Sequence, residues 1–262
     1  MPIQELLLNG LIGASILMTL GWLHATKIAN ATYVDVLWGA GLGILGLSYL
    51  SYSPESADPL RVLILKALIT IWTIRYCFHL LKRAWKKPED ARYAYFRTWM
   101  GKHQQWGYFL FFQIQATWIV LFASPFLILA DNSAPMNAIS IFGVTLWITS
   151  FLGLNLADYQ LSAFKRAPGR TRKDVCNTGL WKYSRHPNYF FEWLLWCSYI
   201  FIGWNAPNGI YLWLIPPVFL FFLLKLTGVP FVEARKLESS GENYRRYVAT
   251  TSSFFPWFRK VD

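Results

Sequence analysis

Apolar runs of about 20 residues recur along the chain, and the connections between them alternate between uncharged and strongly basic. About 20 predominantly apolar residues cross a bilayer as a helix. The pattern predicts seven helices, over about 3–23, 34–52, 60–81, 107–130, 137–157, 189–204 and 209–229. The sixth is short and needs support from its neighbours. The connections 53–59, 131–136 and 205–208 hold no Lys or Arg. The segments 24–33, 82–106, 158–188 and 230–262 hold one, seven, seven and six, which is 21 of the chain's 25. Basic loops stay on the cytoplasmic side, so the N-terminus is expected outside and the C-terminus inside. The expectation is an all-α integral membrane protein, with residues 1–262 forming one membrane domain.

Composition strengthens this reading. The 262 residues are 55% hydrophobic and 18% aromatic but only 15% charged, against about 25% charged in soluble domains. Fourteen Trp and fourteen Tyr suit interfacial belts. The net charge of +11 invites nucleic acid as a partner. Its confinement to the inner connections points instead to anionic membrane lipids or a phosphate-bearing ligand, and no nucleic acid is expected. The first apolar stretch lacks a basic leader and a small-residue cleavage end, so it reads as a retained helix. A bacterial inner membrane, with the site facing the cytoplasm, is the expected location. Cys77, Cys176 and Cys197 form no CxxC pair. His24, His79, His103 and His186 are scattered without metal-ligand spacing, so no metal is expected.

The polar tracts at 82–106 and 158–188 are long for simple connections, and long loops often carry function. Gly41-x-Gly43-x-x-Gly46 matches a dinucleotide fingerprint only as a string. It lies inside an apolar helix with no preceding strand, where small residues serve helix packing. Asn30-Ala-Thr32 is a glycosylation sequon on the expected inner side, so it is expected to be silent. Asp35 and Trp38 share a face near the inner end of the second helix. As alternatives, Asp35 complements the helix dipole or faces the bundle interior. Arg75 and His79 are one turn apart in the third helix. Arg75 is deep enough to need a partner, with Asp35 and Glu192 as candidates, and a structural ion pair and a site role both stay open. Glu89-Asp90-Ala91-Arg92-Tyr93 is a dense charged knot.

Asn155 and Asp158 are three apart at the inner end of the fifth helix, a pairing able to grip an amide or ribose hydroxyls. Lys165, Arg166, Arg170, Arg172 and Lys173 follow, five cations in nine residues around Pro168-Gly169, suited to a phosphate. Asn188, Glu192 and Trp196 repeat every fourth residue along one helix face. Arg185 and His186 sit just before them, and Pro187 stands at a natural helix start. An ionisable residue such as Glu192 in an apolar span usually has a partner or a function.

The run Gly179-Leu-Trp-Lys-Tyr183-Ser-Arg185-His186-Pro187-Asn188-Tyr189-Phe-Phe-Glu192-Trp-x-x-Trp196 resembles the nicotinamide-cofactor segment of the steroid 5α-reductase superfamily. The whole chain resembles its DUF1295 branch, through Asp35-Val-Leu-Trp38-Gly39, Glu89-Asp90-x-Arg92-Tyr93, Asn155-Leu-Ala-Asp158-Tyr159-Gln160 and the tail Glu233…Tyr244-x-x-Tyr247…Phe255-Pro256-Trp257. The resemblance implies a seven-helix enzyme that binds NADPH and reduces a carbon–carbon double bond conjugated to a ketone in a lipophilic, steroid-like substrate taken from the bilayer. It implies a cofactor half over about 137–262. Asn155, Asp158, Tyr183, Arg185, His186, Asn188, Tyr189, Glu192 and Trp196 match cofactor positions, and Arg166, Arg170 and Arg172 are the candidates for its phosphates. The family's ketone-polarising Glu–Tyr pair has Asp35 as its counterpart for the Glu. Trp72 stands where the Tyr is expected, leaving Tyr33, Tyr76 or Tyr93 as replacements, with Tyr93 and Arg75 taken beside Asp35 as catalytic candidates. A rival resemblance is to the isoprenylcysteine carboxyl methyltransferases, which use S-adenosylmethionine. These share an Arg-His-Pro-x-Tyr run, a later Glu and a Tyr-x-x-Tyr tail. A membrane scaffold without catalysis is the third reading. The five-cation loop and the Asn155/Asp158 pair favour the phosphate-bearing cofactor.

Overall fold

The computed structural model describes residues 1–226 and 228–259; Thr227, inside the predicted seventh span, and residues 260–262 lie outside the described residues. Every regular element among the described residues is helical. Among the described residues, six stretches are long and apolar enough to cross a membrane: Ile3–Ile28, Val34–Ser51, Pro59–Ala84, Ala91–Ala130, Ala138–Arg166 and Gly209–Ser240. The predicted span at 189–204 is the 16-residue helix Pro187–Ile202. At 1.5 Å per residue it is about 24 Å long, less than the hydrocarbon core of about 30 Å. The chain divides into two compact units, Met1–Met136 with Asn205–Asn208, and Asn137–Trp204 with Gly209–Asp262.

The first unit holds α1 (Ile3–Ile28), α2 (Val34–Ser51), α3 (Pro59–Ala84), α4 (Ala91–Met100), α5 (Gln104–Ala123) and α6 (Pro125–Ala130). α1 packs on α5, and α2 on α3 and α5. The Gly41, Gly43 and Gly46 stripe does the packing work expected of it. A Cβ at Gly41 would lie 2.7 Å from the Ile119 side chain, and one at Gly46 would lie 3.0 Å from Phe126. The core runs through Met18, Phe112, Ala116 and Ile119. α3 starts where the Asp58 carboxylate accepts the Leu60 N–H at 3.0 Å, with Pro59 in the first turn. Arg61 is fully buried there and donates to the carbonyls of Asn132 and Ala134 at 3.2 and 2.6 Å.

The second unit holds α7 (Ala138–Arg166), α8 (Pro187–Ile202), α9 (Ile215–Phe221), α10 (Val229–Ser240) and α11 (Glu242–Thr250). α7 and α8 form an antiparallel pair, Gly143 meeting Ile202 at one end and Gly153 meeting Phe191 nearer the other. α7 runs nine residues beyond its predicted end, because nothing from Asp158 to Arg166 breaks a helix before Pro168-Gly169. The predicted span at 209–229 is instead segmented. A 3-10 stretch over Gly209–Leu214 leads into α9, and a π-helical turn follows over Phe222–Leu226. Pro216 and Pro217 lack the N–H groups that a regular helix needs.

The α7–α8 contact makes a stability prediction. A Cβ at Gly143 would lie 2.6 Å from the Ile202 backbone nitrogen, which cannot rotate away as a side chain can. Gly143→Ala should therefore destabilise the protein by about 1–3 kcal/mol, the range for overpacking. Gly13→Ala, where a Cβ meets nothing within 4 Å, should be neutral or raise stability by up to about 1 kcal/mol. Thermal unfolding in detergent compares the two, and equal effects would sink the packing argument.

Candidate functional site

In the second unit the predicted row assembles on the facing sides of α7 and α8. The Asn188 amide donates to Asp158 Oδ1 at 3.1 Å, and its oxygen accepts the Tyr189 N–H at 3.0 Å. Asn155, one turn before Asp158, donates to the Phe151 carbonyl at 2.7 Å. Glu192, one turn beyond Asn188, is buried, and so is Trp196 another turn on. Trp196 packs on Tyr199 and Phe219. The face thus presents two carboxylates and two amides over about two turns. Such a set accepts from hydroxyls and amide N–H groups and also donates.

Arg185 and His186 instead serve the chain itself. Arg185 Nε and His186 Nε2 both meet Glu233 Oε1, at 2.8 and 3.0 Å. Arg185 Nη1 also donates to the carbonyls of Val248 and Thr251, at 3.1 and 2.7 Å. The buried His186 ring lies parallel to Tyr189, centroids 5.5 Å apart. Glu233 on α10 therefore ties down the start of α8. Further ties come from the Ser184 hydroxyl to the Phe254 carbonyl at 2.8 Å, and from the Tyr247 hydroxyl to the carbonyls of Trp181 and Ser184. Burial raises the Tyr247 phenol above its ordinary value, which keeps it a neutral donor. Tyr183 stays exposed at the surface beside Phe258.

The loop before this latch turns at Gly179, whose φ of +58° is left-handed. Its chain is held by Gln160, which accepts the Leu180 N–H at 2.9 Å. The cations Lys165, Arg166, Arg170, Arg172 and Lys173 all remain exposed. Arg170 lies over the Phe164 ring at 4.4 Å, and Arg166 donates to the Ser162 carbonyl at 3.2 Å.

The first unit gathers a second polar cluster around Asp35. Tyr93 donates its hydroxyl to Asp35 Oδ1 at 2.6 Å, and Arg92 Nη2 donates to Asp35 Oδ2 at 2.9 Å. Arg92 Nε also bonds Asp90 Oδ1 at 3.1 Å, and Asp90 caps α4 through the Arg92 N–H. Of the three tyrosines in question, Tyr93 reaches Asp35, Tyr76 stacks on Trp72, and Tyr33 meets His24 edge-on. Arg75 lies half-buried on α3.

Residues not predicted for the site complete this cluster. Glu89 receives a forked pair from Arg97 at 2.8 and 3.0 Å and the Ala31 N–H at 2.8 Å. Thr32 Oγ1 accepts the Asp90 N–H at 2.8 Å, and Tyr108 donates to the Tyr93 carbonyl at 2.7 Å. Burial pushes the Glu89 and Asp90 carboxyls up. Hydrogen bonds and charge from Arg97 and Ala31 at Glu89, and from Arg92 and Arg83 at Asp90, outweigh it and hold both below their ordinary values. Asn30 of the sequon spends its amide on the Lys87 carbonyl. Spacing alone hides these bonds, since Glu89 and Ala31 are 58 positions apart. Among the described residues, no group of three or more His, Cys, Asp or Glu side chains is placed to hold a metal ion.

A family described as a protein of unknown function, DUF1295, matches residues 21–251. The chain is also similar to an uncharacterized protein of Schizosaccharomyces pombe. The two are 28% identical over 275 residues, covering 94% of this chain and 78% of the yeast one.

Proposed function

The chain belongs to the DUF1295 family, and from that premise we propose that it is a membrane-embedded, NADPH-dependent reductase of a conjugated carbon–carbon double bond in a lipophilic enone. The observation that carries the reading is the Asp158–Asn188 hydrogen bond of 3.1 Å, beside Asn155 and the buried Glu192 on facing helices. This donor and acceptor set suits ribose hydroxyls and a carboxamide, and the exposed cations from Lys165 to Lys173 suit phosphates. The resemblance of the Tyr183–Trp196 segment to a nicotinamide site supports the same choice. In this reading α8 is a seventh span, the N-terminus is outside, and the C-terminus faces the cytoplasm of a bacterial inner membrane.

NADPH supplies the hydride when bound. Asn155, Asp158, Asn188 and Glu192 would hold its ribose and carboxamide groups beside Trp196, and Arg166, Arg170 and Arg172 would take its phosphates. Arg185 and His186 position this set through Glu233. In the first unit, Asp35 and Tyr93 are assigned to the substrate carbonyl. The Tyr93 hydroxyl rotates about its C–O bond, so the proton it donates to Asp35 can turn to a ketone oxygen and stabilise the developing enolate. Water then protonates the α-carbon.

The test is a thermal unfolding series on detergent-solubilised protein with NADPH, NADH or S-adenosylmethionine. A nicotinamide cofactor at about 100 times its Kd should add about 2.7 kcal/mol, and S-adenosylmethionine nothing. Stabilisation by S-adenosylmethionine alone would move the chain to the methyltransferase reading, and no response to any of the three would end the enzymatic one.

A further inference from the structure

α4 carries aromatic side chains on both of its faces. Its inner face carries Tyr93, Phe96, Arg97 and Met100, with the charged Arg97 satisfied by Glu89, and Arg92 on the flank satisfied by Asp35 and Asp90. Its outer face carries Tyr95 and Trp99, which are 67% and 72% exposed. Trp85, just after α3, and Trp106, in the first turn of α5, are also exposed, at 59% and 77%. A surface helix in water carries polar and charged residues on its outer face. The same segment carries exposed cations, Lys82 and Arg83 at the end of α3, Lys86 and Lys87 in the next turn, and Lys102 between α4 and α5. The adjoining carboxylates Glu89 and Asp90 are already neutralised by Arg97, Arg92 and Arg83. The outer surface is therefore aromatic and net positive.

We infer that α4 lies in the plane of the bilayer surface, with Tyr95, Trp99, Trp85 and Trp106 in the headgroup–acyl boundary and Lys86, Lys87 and Lys102 on anionic lipid headgroups. The lipid surface is the occupant because α4 joins two membrane-crossing stretches, α3 and α5, at the ends where both leave the bilayer. Trp and Tyr rings favour that depth, and amphipathic helices there sink about 5–10 Å. Juxtamembrane cations add attraction to anionic headgroups. The 40-residue apolar stretch Ala91–Ala130 then divides by role. α4 rests on the surface, and α5 with α6 crosses. Because α4 also holds Asp35 through Arg92 and Tyr93, seating α4 on the bilayer fixes that cluster.

Spin labels at Tyr95→Cys and Trp99→Cys, in a chain with Cys77, Cys176 and Cys197 changed to Ala, report depth in phosphatidylglycerol vesicles by collision with oxygen and with a water-soluble nickel complex. Lys173→Cys, in the exposed loop after α7, gives the water reference. The expected result is high oxygen and low nickel access at 95 and 99 against the reverse at 173. Nickel access equal to that at 173 would overturn the inference. So would low access to both reagents, since a protein partner then covers the segment. A second arm keeps the native cysteines. The melting temperature in phosphatidylglycerol nanodiscs should exceed that in phosphatidylcholine by several degrees, and Lys86→Gln/Lys87→Gln/Lys102→Gln should lose the difference. No difference in the native chain, or one retained in the triple variant, would overturn the headgroup assignment. Neither arm depends on NADPH or on turnover, so the reductase reading and this one fail separately.

Discussion

NADPH should largely cease to stabilise the Glu192→Gln protein against heat. Glu192 is buried in α8. The amide replaces a carboxylate acceptor with a neutral one, and hydrogen bonds to charged groups are worth about 1.5–3 kcal/mol. The dissociation constant for NADPH should rise roughly tenfold to 150-fold. At a concentration giving about 2.7 kcal/mol of stabilisation in the native protein, a hundredfold loss leaves about 0.4 kcal/mol. Asn188→Ala should act in the same direction, because it also leaves Asp158 without the amide donor at 3.1 Å. An undiminished NADPH response in Glu192→Gln would remove the carboxylate from the cofactor site.

The helices were legible because crossing a bilayer needs length and apolar composition, both visible in a single sequence. Their ends were not. The predicted span ends at 157 because Asp158, Lys165 and Arg166 are polar, yet no breaker precedes Pro168, so α7 continues to Arg166. α4 escaped the hydrophobic pattern for a different reason. Its inward face is partly ionic, and inward charges become visible only once their partners Glu89 and Asp35 are known. Asn155, Asp158, Asn188 and Glu192 could be picked out because helical spacing predicts which residues share a face. The capture of Arg185 and His186 by Glu233 could not, since no periodicity connects residues 48 and 47 positions apart. The choice among Tyr33, Tyr76 and Tyr93 likewise needed coordinates, because Tyr93 reaches Asp35 from another helix.

Asp35→Asn should lower turnover of an enone substrate by about a hundredfold to a thousandfold, the scale for losing one preorganised group at an oxyanion, while leaving the NADPH response intact. Asp35 holds two donors at once, Tyr93 Oη at 2.6 Å and Arg92 Nη2 at 2.9 Å. An asparagine has one oxygen and one NH2 for these two places. The NH2 cannot face the Arg92 donor, so it must turn to the Tyr93 oxygen and reverse that hydrogen bond. The phenol then loses the carboxylate that fixes its orientation, and Arg92 keeps Asp90 as its charged partner and a neutral amide oxygen in place of the Asp35 carboxylate. Tyr93→Phe should lower turnover by a similar factor. The double variant should be little worse than either single one, because groups acting as a unit are not additive. Asp35, Arg92 and Tyr93 all lie in the first unit, and the residues proposed for the cofactor lie on α7 and α8. Loss of NADPH stabilisation in Asp35→Asn would therefore contradict the division of roles. Equal turnover in Asp35→Asn and the native protein would leave the cluster structural, a tie between the start of α2 and α4 and nothing more.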